Sequence, residues 1–141
     1  MELSYASGTS TTPLLGDTIG DNLDRTIARF GDREALVSVH QDLRYTYAQF
    51  GEAVDRTARA LIAAGLEPGD RVGIWSPNCA EWALVQYATA KAGIILVNIN
   101  PAYRTSELAY VLKQSGCKLL VAATSIRQPD WRSTYSSSDV R

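Results

Sequence analysis

Apolar residues first recur along the chain at the spacing of a helix. Leu23, Ile27 and Phe30 lie three or four positions apart, and a glycine follows them directly. Because an α-helix turns once in about 3.6 residues, this spacing predicts a helix over residues 19–30. The preceding residues 1–17 are polar and rich in Ser, Thr and Gly, so we expect a flexible leader.

A hairpin and a long helix are predicted next. Apolar residues alternate or cluster over residues 34–39 and 43–45, around a polar triplet that is typical of a hairpin turn. Thr46 then stands three residues before Gln49, the spacing of a capping box, and Gly65 is placed to end the helix. The predicted apolar face of this helix comprises Tyr47, Phe50, Val54, Ala58, Leu61 and Ile62.

From residue 71 the pattern changes to short strands that alternate with helices. The helix after the first strand is predicted with Ser76 as its cap, Pro77 in its first turn and Gly93 at its end. Thr105 is placed to cap the next helix, and Gly116 to end it. This alternation predicts a parallel sheet with crossover helices, and hence an α/β fold. The predicted strands cover residues 72–75, 94–98 and 118–122.

Two of these elements are apolar on more than one side. The helix after Pro77 carries apolar residues nearly all round, which is typical of a helix packed on several sides. The strand over residues 94–98 is apolar on both faces, as strands of parallel sheets are. In the last helix, Leu108, Val111 and Leu112 form the predicted inner face.

Composition excludes several classes of protein. The 141 residues carry a net charge of −1 and have a pI of about 5.8, which gives no electrostatic basis for binding nucleic acid or an anionic membrane. No apolar run approaches the roughly 18 residues of a membrane span. The amino terminus lacks the features of a secretory signal, so we expect a cytoplasmic protein. Cys79 and Cys117 are too few for a disulfide framework, and we expect reduced, buried thiols.

Individual residues add a family resemblance. Tyr45-Thr46-Tyr47-Ala48-Gln49-Phe50 looks like the first core motif of the adenylate-forming superfamily, a Thr-Tyr pair that opens a helix. Further residues between 69 and 110 resemble the amino-terminal part of the acyl-CoA synthetases of that superfamily, with the fatty-acid–CoA ligases looking most similar. These residues are Gly69-Asp70-Arg71-Val72, Pro77-Asn78, Glu81-Trp82, Ala90-Lys91-Ala92-Gly93, Asn98, Asn100-Pro101 and Tyr103-Arg104.

The resemblance implies both a fold and an activity. The fold is a β-hairpin with helices followed by a three-stranded parallel βαβαβ unit, the first subdomain of the synthetase large domain. The family activates a carboxylic acid with ATP and Mg²⁺ to an acyl-adenylate and passes the acyl group to CoA. Its ATP-binding motifs and catalytic lysine lie beyond the end of this chain. We therefore assign no catalytic, cofactor-binding or metal residues here and expect no activity of the chain alone.

The expected domain organisation has three parts. Residues 18–125 form a partial AMP-binding domain, and residues 126–141 show no apolar period and are rich in Ser and Arg. We interpret this end as an unrelated, disordered tail left by a truncation; a divergent but selected linker is the alternative. Expected partners are a separately encoded remainder of the synthetase or a second copy. The alternative function is a small non-catalytic binding or interaction module.

Two stretches have some features of a nucleotide-binding site. Adenylation needs a loop rich in Ser, Thr and Gly with a Lys, because backbone amides and a cation hold the phosphates of ATP. Residues 7–16 have a similar composition but lack the lysine and precede the first helix, so we interpret them as leader. The turn Trp75-Ser76-Pro77-Asn78 contains no glycine, which excludes close approach of a dinucleotide pyrophosphate. Ser76 and Asn78 are interpreted as helix caps.

The remaining polar candidates have structural explanations. His40, the only histidine, lies in the predicted hairpin turn without a metal-ligand cluster. The acidic pairs Asp21/Asp24 and Glu52/Asp55 lie on predicted helix surfaces, where solvation explains them. The loop after the second parallel strand occupies a position where α/β folds place ligands, but the resemblance implies a structural role near the domain interior. Its polar and aromatic residues are Asn98, Asn100, Pro101, Tyr103 and Arg104.

Overall fold

Helices and strands follow one another in a computed structural model that describes residues 8, 11–12 and 14–123. The expectations for residues 126–141, and for most of the leader, lie outside the described residues. The elements in chain order are α1 (Ile19–Phe30), β1 (Glu34–Ser38), β2 (Leu43–Thr46), α2 (Tyr47–Ala63), β3 (Arg71–Trp75), α3 (Ala80–Ala92), β4 (Ile95–Ile99), α4 (Thr105–Ser115) and β5 (Leu119–Ala122).

The strands form two sheets. β1 and β2 pair antiparallel and are joined by a single 3₁₀ turn at Val39–Gln41. β3 lies between β4 and β5 and pairs parallel with both, so the strand order is β4-β3-β5. The predicted α/β fold, a hairpin followed by a parallel βαβαβ unit, is therefore confirmed.

Local signals define α2 and the ends of the later helices. Thr46 Oγ1 accepts a hydrogen bond from the Gln49 amide at 3.3 Å, and Gln49 Oε1 accepts one from the Thr46 amide at 2.9 Å. This confirms the capping box. Ile62 was wrongly placed on the apolar face, because it is 56% exposed and the helix buries Leu61 beside it instead. Of the four predicted glycine terminators, Gly65, Gly93 and Gly116 have positive φ, whereas Gly31, which follows α1, keeps a right-handed helical conformation with φ −48°.

The core lies between the helices α1–α3 and one face of the parallel sheet. Val72 of β3 packs there against Val54 of α2 and Ala88 of α3, and all three are fully or almost fully buried. Phe50 meets Tyr87 edge-to-face, with ring centroids 5.4 Å apart. Since α3 contacts α1, α2 and the sheet, its apolar circumference has partners on several sides, as predicted.

The opposite face of the sheet has less cover. α4 contributes no fully buried residue, and Tyr110 on this helix is 64% exposed. Ile95 on the outer strand β4 is 52% exposed, so the expectation that this strand is covered on both faces is only half met. Gly73 permits close packing on this face, because a Cβ there would lie 2.9 Å from Ile99 Cδ1.

Candidate functional site

A cleft opens at the carboxyl ends of β3 and β5, where α/β folds commonly place ligands. Its volume is about 590 Å³, and it lies between the 3₁₀ turn of the hairpin and the first turn of α3. Apolar side chains form its floor, and polar groups stand at its rim. The lining residues are His40, Gln41, Ile74, Ser76, Pro77, Cys79, Glu81, Trp82, Val121, Ala122 and Ala123.

Gln41 connects the hairpin to α3 across the rim of the cleft. Its Oε1 accepts hydrogen bonds from the Ala80 amide and from Ser38 Oγ, each at 2.7 Å. Its Nε2 donates to Glu81 Oε2 at 2.8 Å. One side chain thus caps the first free amide of α3 and also holds the carboxylate beside it.

This arrangement corrects the predicted start of α3. The helix begins at Ala80, with Cys79 as a cap residue that makes no side-chain capping bond, rather than at Pro77 behind Ser76. The Ser76 hydroxyl donates to the Pro77 carbonyl at 2.9 Å instead of capping the helix. Asn78 is exposed in the intervening turn. The sequence gives no signal for the capping role of Gln41, because donor and acceptor are 39 positions apart.

The charge at the rim is negative. The hydrogen bond from Gln41, followed by backbone bonding at the helix start, holds the pKa of Glu81 below its usual value despite some burial. His40 is exposed, with its Nδ1 3.4 Å from Ser38 Oγ. The lining residues include no lysine or arginine. The cleft as described therefore lacks the cation that nucleotide phosphates need.

Hydrogen bonds order the loop after β4, although most of the loop is exposed. The Asn100 carbonyl accepts hydrogen bonds from Trp75 Nε1 at 3.1 Å and from the Tyr103 amide at 3.0 Å. Asn100 Oδ1 accepts the Ala102 amide at 2.9 Å. Tyr103 is half-buried, whereas Asn100, Pro101 and Arg104 are exposed and do not take the expected interior position. Asn98, which was predicted with this loop, lies in β4 and is exposed as well.

The predicted cap of α4 is also corrected. Thr105 is the first residue of the helix, and Arg104 is its cap residue. The Arg104 amide donates to Glu107 Oε2 at 2.9 Å, so the carboxylate three positions into the helix bonds to its start. Glu107 therefore takes the position that a capping box assigns to Glu or Gln.

Two of the four helix-surface carboxylates, Asp24 and Asp55, pair with a lysine on another helix. Lys91 Nζ of α3 lies 2.7 Å from Asp24 Oδ1 of α1 and 2.8 Å from Asp55 Oδ1 of α2. The lysine side chain is 19% exposed, so this ion-pair cluster is partly shielded from water. The other two carboxylates stay at the surface: Asp21 accepts from Thr18 Oγ1, and Glu52 lies 3.9 Å from Arg56.

Cys79 and Cys117 form no disulfide with each other, and both are half-buried rather than fully buried as expected. Among the described residues, no group of three or more His, Cys, Asp or Glu side chains could hold a metal ion. None of the helices in this part of the chain combines the length and the apolar character needed to cross a membrane.

Residues 23–139 match the AMP-binding enzyme family. The matched range continues past the last described residue and so includes most of residues 126–141. The chain is 52% identical over 119 residues to the mouse (Mus musculus) mitochondrial medium-chain acyl-CoA ligase ACSF2 and 46% identical over 124 residues to its zebrafish (Danio rerio) counterpart. These matches cover 84% and 88% of this chain but only 19% and 20% of the two relatives, so the chain spans about a fifth of their length.

Solved structures show the same fold. The N-terminal domain of FACL13 from Mycobacterium tuberculosis matches with a TM-score of 0.73 and 33% identity, over 75% of this chain and 27% of that one. The N-terminal subdomain of NpsA from Klebsiella oxytoca matches with a TM-score of 0.71 and 26% identity, over 79% of this chain and 29% of that one.

Proposed function

Because this chain belongs to the AMP-binding enzyme family, we propose that it is the amino-terminal part of an acyl-CoA synthetase that joins a medium- or long-chain fatty acid to CoA at the expense of ATP. The observation that carries this proposal is the 52% identity to a medium-chain acyl-CoA ligase over most of the chain. The match to the N-terminal domain of FACL13, at 33% identity, supports the same placement in the fold.

A second part of the proposal is that these 141 residues have no ligase activity by themselves. Transfer of an adenylyl group requires cations and amides around the phosphates, because negative charge must be stabilised as pyrophosphate leaves. The cleft in the described residues offers a carboxylate and no lysine or arginine, and no metal cluster is present in them. ATP, Mg²⁺ and CoA therefore do not fit this site, and other parts of the synthetase would hold them.

Pyrophosphate exchange tests both statements. In the forward step a carboxylate attacks the α-phosphate of ATP, and acyl-AMP and pyrophosphate form; the reverse step returns labelled pyrophosphate to ATP. Two proteins are compared: residues 1–141 alone, and the same residues fused to the part of mouse ACSF2 that follows its matched segment. We expect fatty-acid-dependent exchange with the fusion and none above a protein-free blank with the chain alone.

Each of the two measurements can refute one part of the proposal. Exchange by the 141 residues alone would refute their inactivity. A folded but inactive fusion, alongside an active mouse ligase, would refute the synthetase assignment. The cytoplasm remains our proposed compartment, whereas the mouse and zebrafish relatives are named as mitochondrial; imaging of the tagged chain in its native cell decides between them.

A further inference from the structure

A groove of about 460 Å³ runs along α4, and no residue that lines it also lines the cleft described above. Its residues recur at intervals of three or four, so they share one side of the helix and of the turn before it. We propose that this groove binds the arginine side chain of a partner polypeptide, independently of the proposed ligase activity. The lining residues are Tyr103, Ser106, Glu107, Tyr110, Val111 and Gln114.

Glu107 places an unpaired negative charge in the groove. The residue is exposed, and none of the ion pairs in the described part of the chain includes it. The Arg104 amide donates to its Oε2 at 2.9 Å, and no donor among the described residues bonds to its Oε1. The cations nearest to it along the chain, Arg104 and Lys113, do not line the groove, nor does any other lysine or arginine that the structure describes. The groove therefore attracts a cation and repels a phosphate or a carboxylate.

Two tyrosine rings line the groove together with that carboxylate. Tyr103 precedes Glu107 by four residues and is half-buried, whereas Tyr110 follows it by three and is 64% exposed. Neither ring takes part in the ring–ring or cation–π contacts of the described residues. Because the face of an aromatic ring carries partial negative charge, rings beside a carboxylate favour an organic cation over a neutral ligand.

The other groups of the groove favour a guanidinium group as that cation. Guanidinium is planar, stacks on aromatic rings and carries N–H donors but no acceptor. The Ser106 hydroxyl and the Gln114 side-chain carbonyl supply acceptors in addition to the carboxylate, and Val111 supplies an apolar surface for the aliphatic stem of arginine. From Ser106 to Gln114 the groove follows roughly 12 Å of helix, which is longer than a guanidinium group and accommodates the adjoining backbone of a peptide. A metal ion is a poorer match, because the described residues contain no cluster of three or more His, Cys, Asp or Glu side chains that could hold one.

The test is a titration of the isotope-labelled 141-residue chain with a tripeptide that has one arginine between two glycines and neutral, capped termini. Binding is followed by the NMR chemical shifts of the backbone amides. We expect saturable shifts centred on α4 at millimolar concentrations of the tripeptide. The same tripeptide with citrulline, which has the shape of arginine without its charge, should bind more weakly by about fivefold or more. Methylguanidinium, which lacks the peptide backbone, should also bind more weakly.

Matched substitutions separate the contributions of the charge and of the ring. Glu107→Gln removes the charge but keeps an oxygen that can accept the Arg104 amide, and it should weaken binding by about fivefold. Tyr110→Leu should weaken binding by about threefold or more, whereas Tyr110→Phe keeps the ring and should change it by less than about twofold. Glu67→Gln makes the same charge change at an exposed residue outside α4 and should leave binding unchanged.

Circular dichroism first establishes that each variant folds like the wild type. The proposal is overturned if the arginine tripeptide causes no saturable shifts on α4 of the folded wild type, or if either Glu107→Gln or Tyr110→Leu binds it as tightly as the wild type does. Equal binding of the citrulline tripeptide would refute the role of the charge. Equal binding of methylguanidinium would refute a polypeptide as the ligand.

Discussion

Replacing Lys91 by methionine removes the charge that joins three helices while keeping most of the side-chain volume. The ammonium group lies within 2.8 Å of carboxylates on α1 and α2. The hydrocarbon stem packs on α1 as well, since a Cβ at Gly20 would lie 3.2 Å from Lys91 Cγ. Methionine can retain that packing, so the substitution reports chiefly on the two ion pairs and on the two carboxylates that lose their common partner.

The size of the expected loss in stability follows from how exposed the two aspartates are. The side chains of Asp24 and Asp55 are 55% and 45% exposed, so water screens each pair and each contributes about 0.2 to 1 kcal/mol. We expect Lys91→Met to lower the free energy of unfolding by about 0.4 to 2 kcal/mol in total. For a chain of 141 residues, each kcal/mol corresponds to a fall of about 4 °C in Tm.

The pH dependence gives a second, independent signature. Burial lowers the pKa of Lys91, but the hydrogen bonds to Asp24 and Asp55 outweigh it and raise the pKa above its usual value. Because the pKa of Lys91 is higher in the folded state than in the unfolded state, the ion pairs stabilise the fold fully at any pH below the unfolded-state pKa. This stabilisation is lost as the pH rises through the folded-state pKa. The difference between wild type and Lys91→Met should therefore stay constant from pH 7 to about pH 9 and shrink above about pH 10.5.

Urea unfolding followed by circular dichroism measures this difference at low and at high salt. Lys91→Arg should keep most of the stability, and Lys113→Met, an exposed lysine on α4, serves as the matched control with little effect. If Lys91→Met unfolds within about 0.3 kcal/mol of the wild type, or if its deficit does not change with salt or at high pH, the ion-pair account is refuted.

Three further substitutions test other parts of the fold. Gln41→Leu should cost about 1 to 2 kcal/mol and speed hydrogen exchange at the start of α3, because the first amide loses its acceptor; unchanged exchange there would contradict the capping role. Gly73→Ala should destabilise by about 1 to 3 kcal/mol in thermal unfolding, since the new methyl group would press on Ile99; an unchanged Tm would show that the sheet face yields freely. Lys118 and the Glu67 amide hold the pKa of Asp70 below its usual value. The difference in free energy of unfolding between wild type and Asp70→Asn should therefore be full above about pH 4 and vanish as the pH falls further. A constant difference down to pH 2 would contradict this explanation.

Signals within a few residues made much of the fold predictable. Thr46 and Gln49 form the predicted capping box, and the glycines after α3 and α4 take the predicted left-handed conformation. The alternation of strands and helices was sufficient to predict the parallel sheet, because the hydrophobic periodicity of each element depends only on neighbouring positions in the chain. The family resemblance was also readable from short motifs, and the match over residues 23–139 confirms it.

Sites made by distant residues were not predictable in this way. The start of α3 was misplaced because its capping acceptor is Gln41, and no local pattern indicates a partner on the hairpin. Asp24 and Asp55 looked like solvated helix residues until folding brought them to Lys91, which is 67 positions from the first. The cleft likewise exists only once the hairpin lies beside the end of the parallel sheet. Periodicity and capping arise from backbone geometry over one or two turns, so the sequence by itself determined most of the elements. Its short motifs determined the family. Which side chains meet across them depends on how those elements pack in three dimensions, and only the tertiary structure decided it.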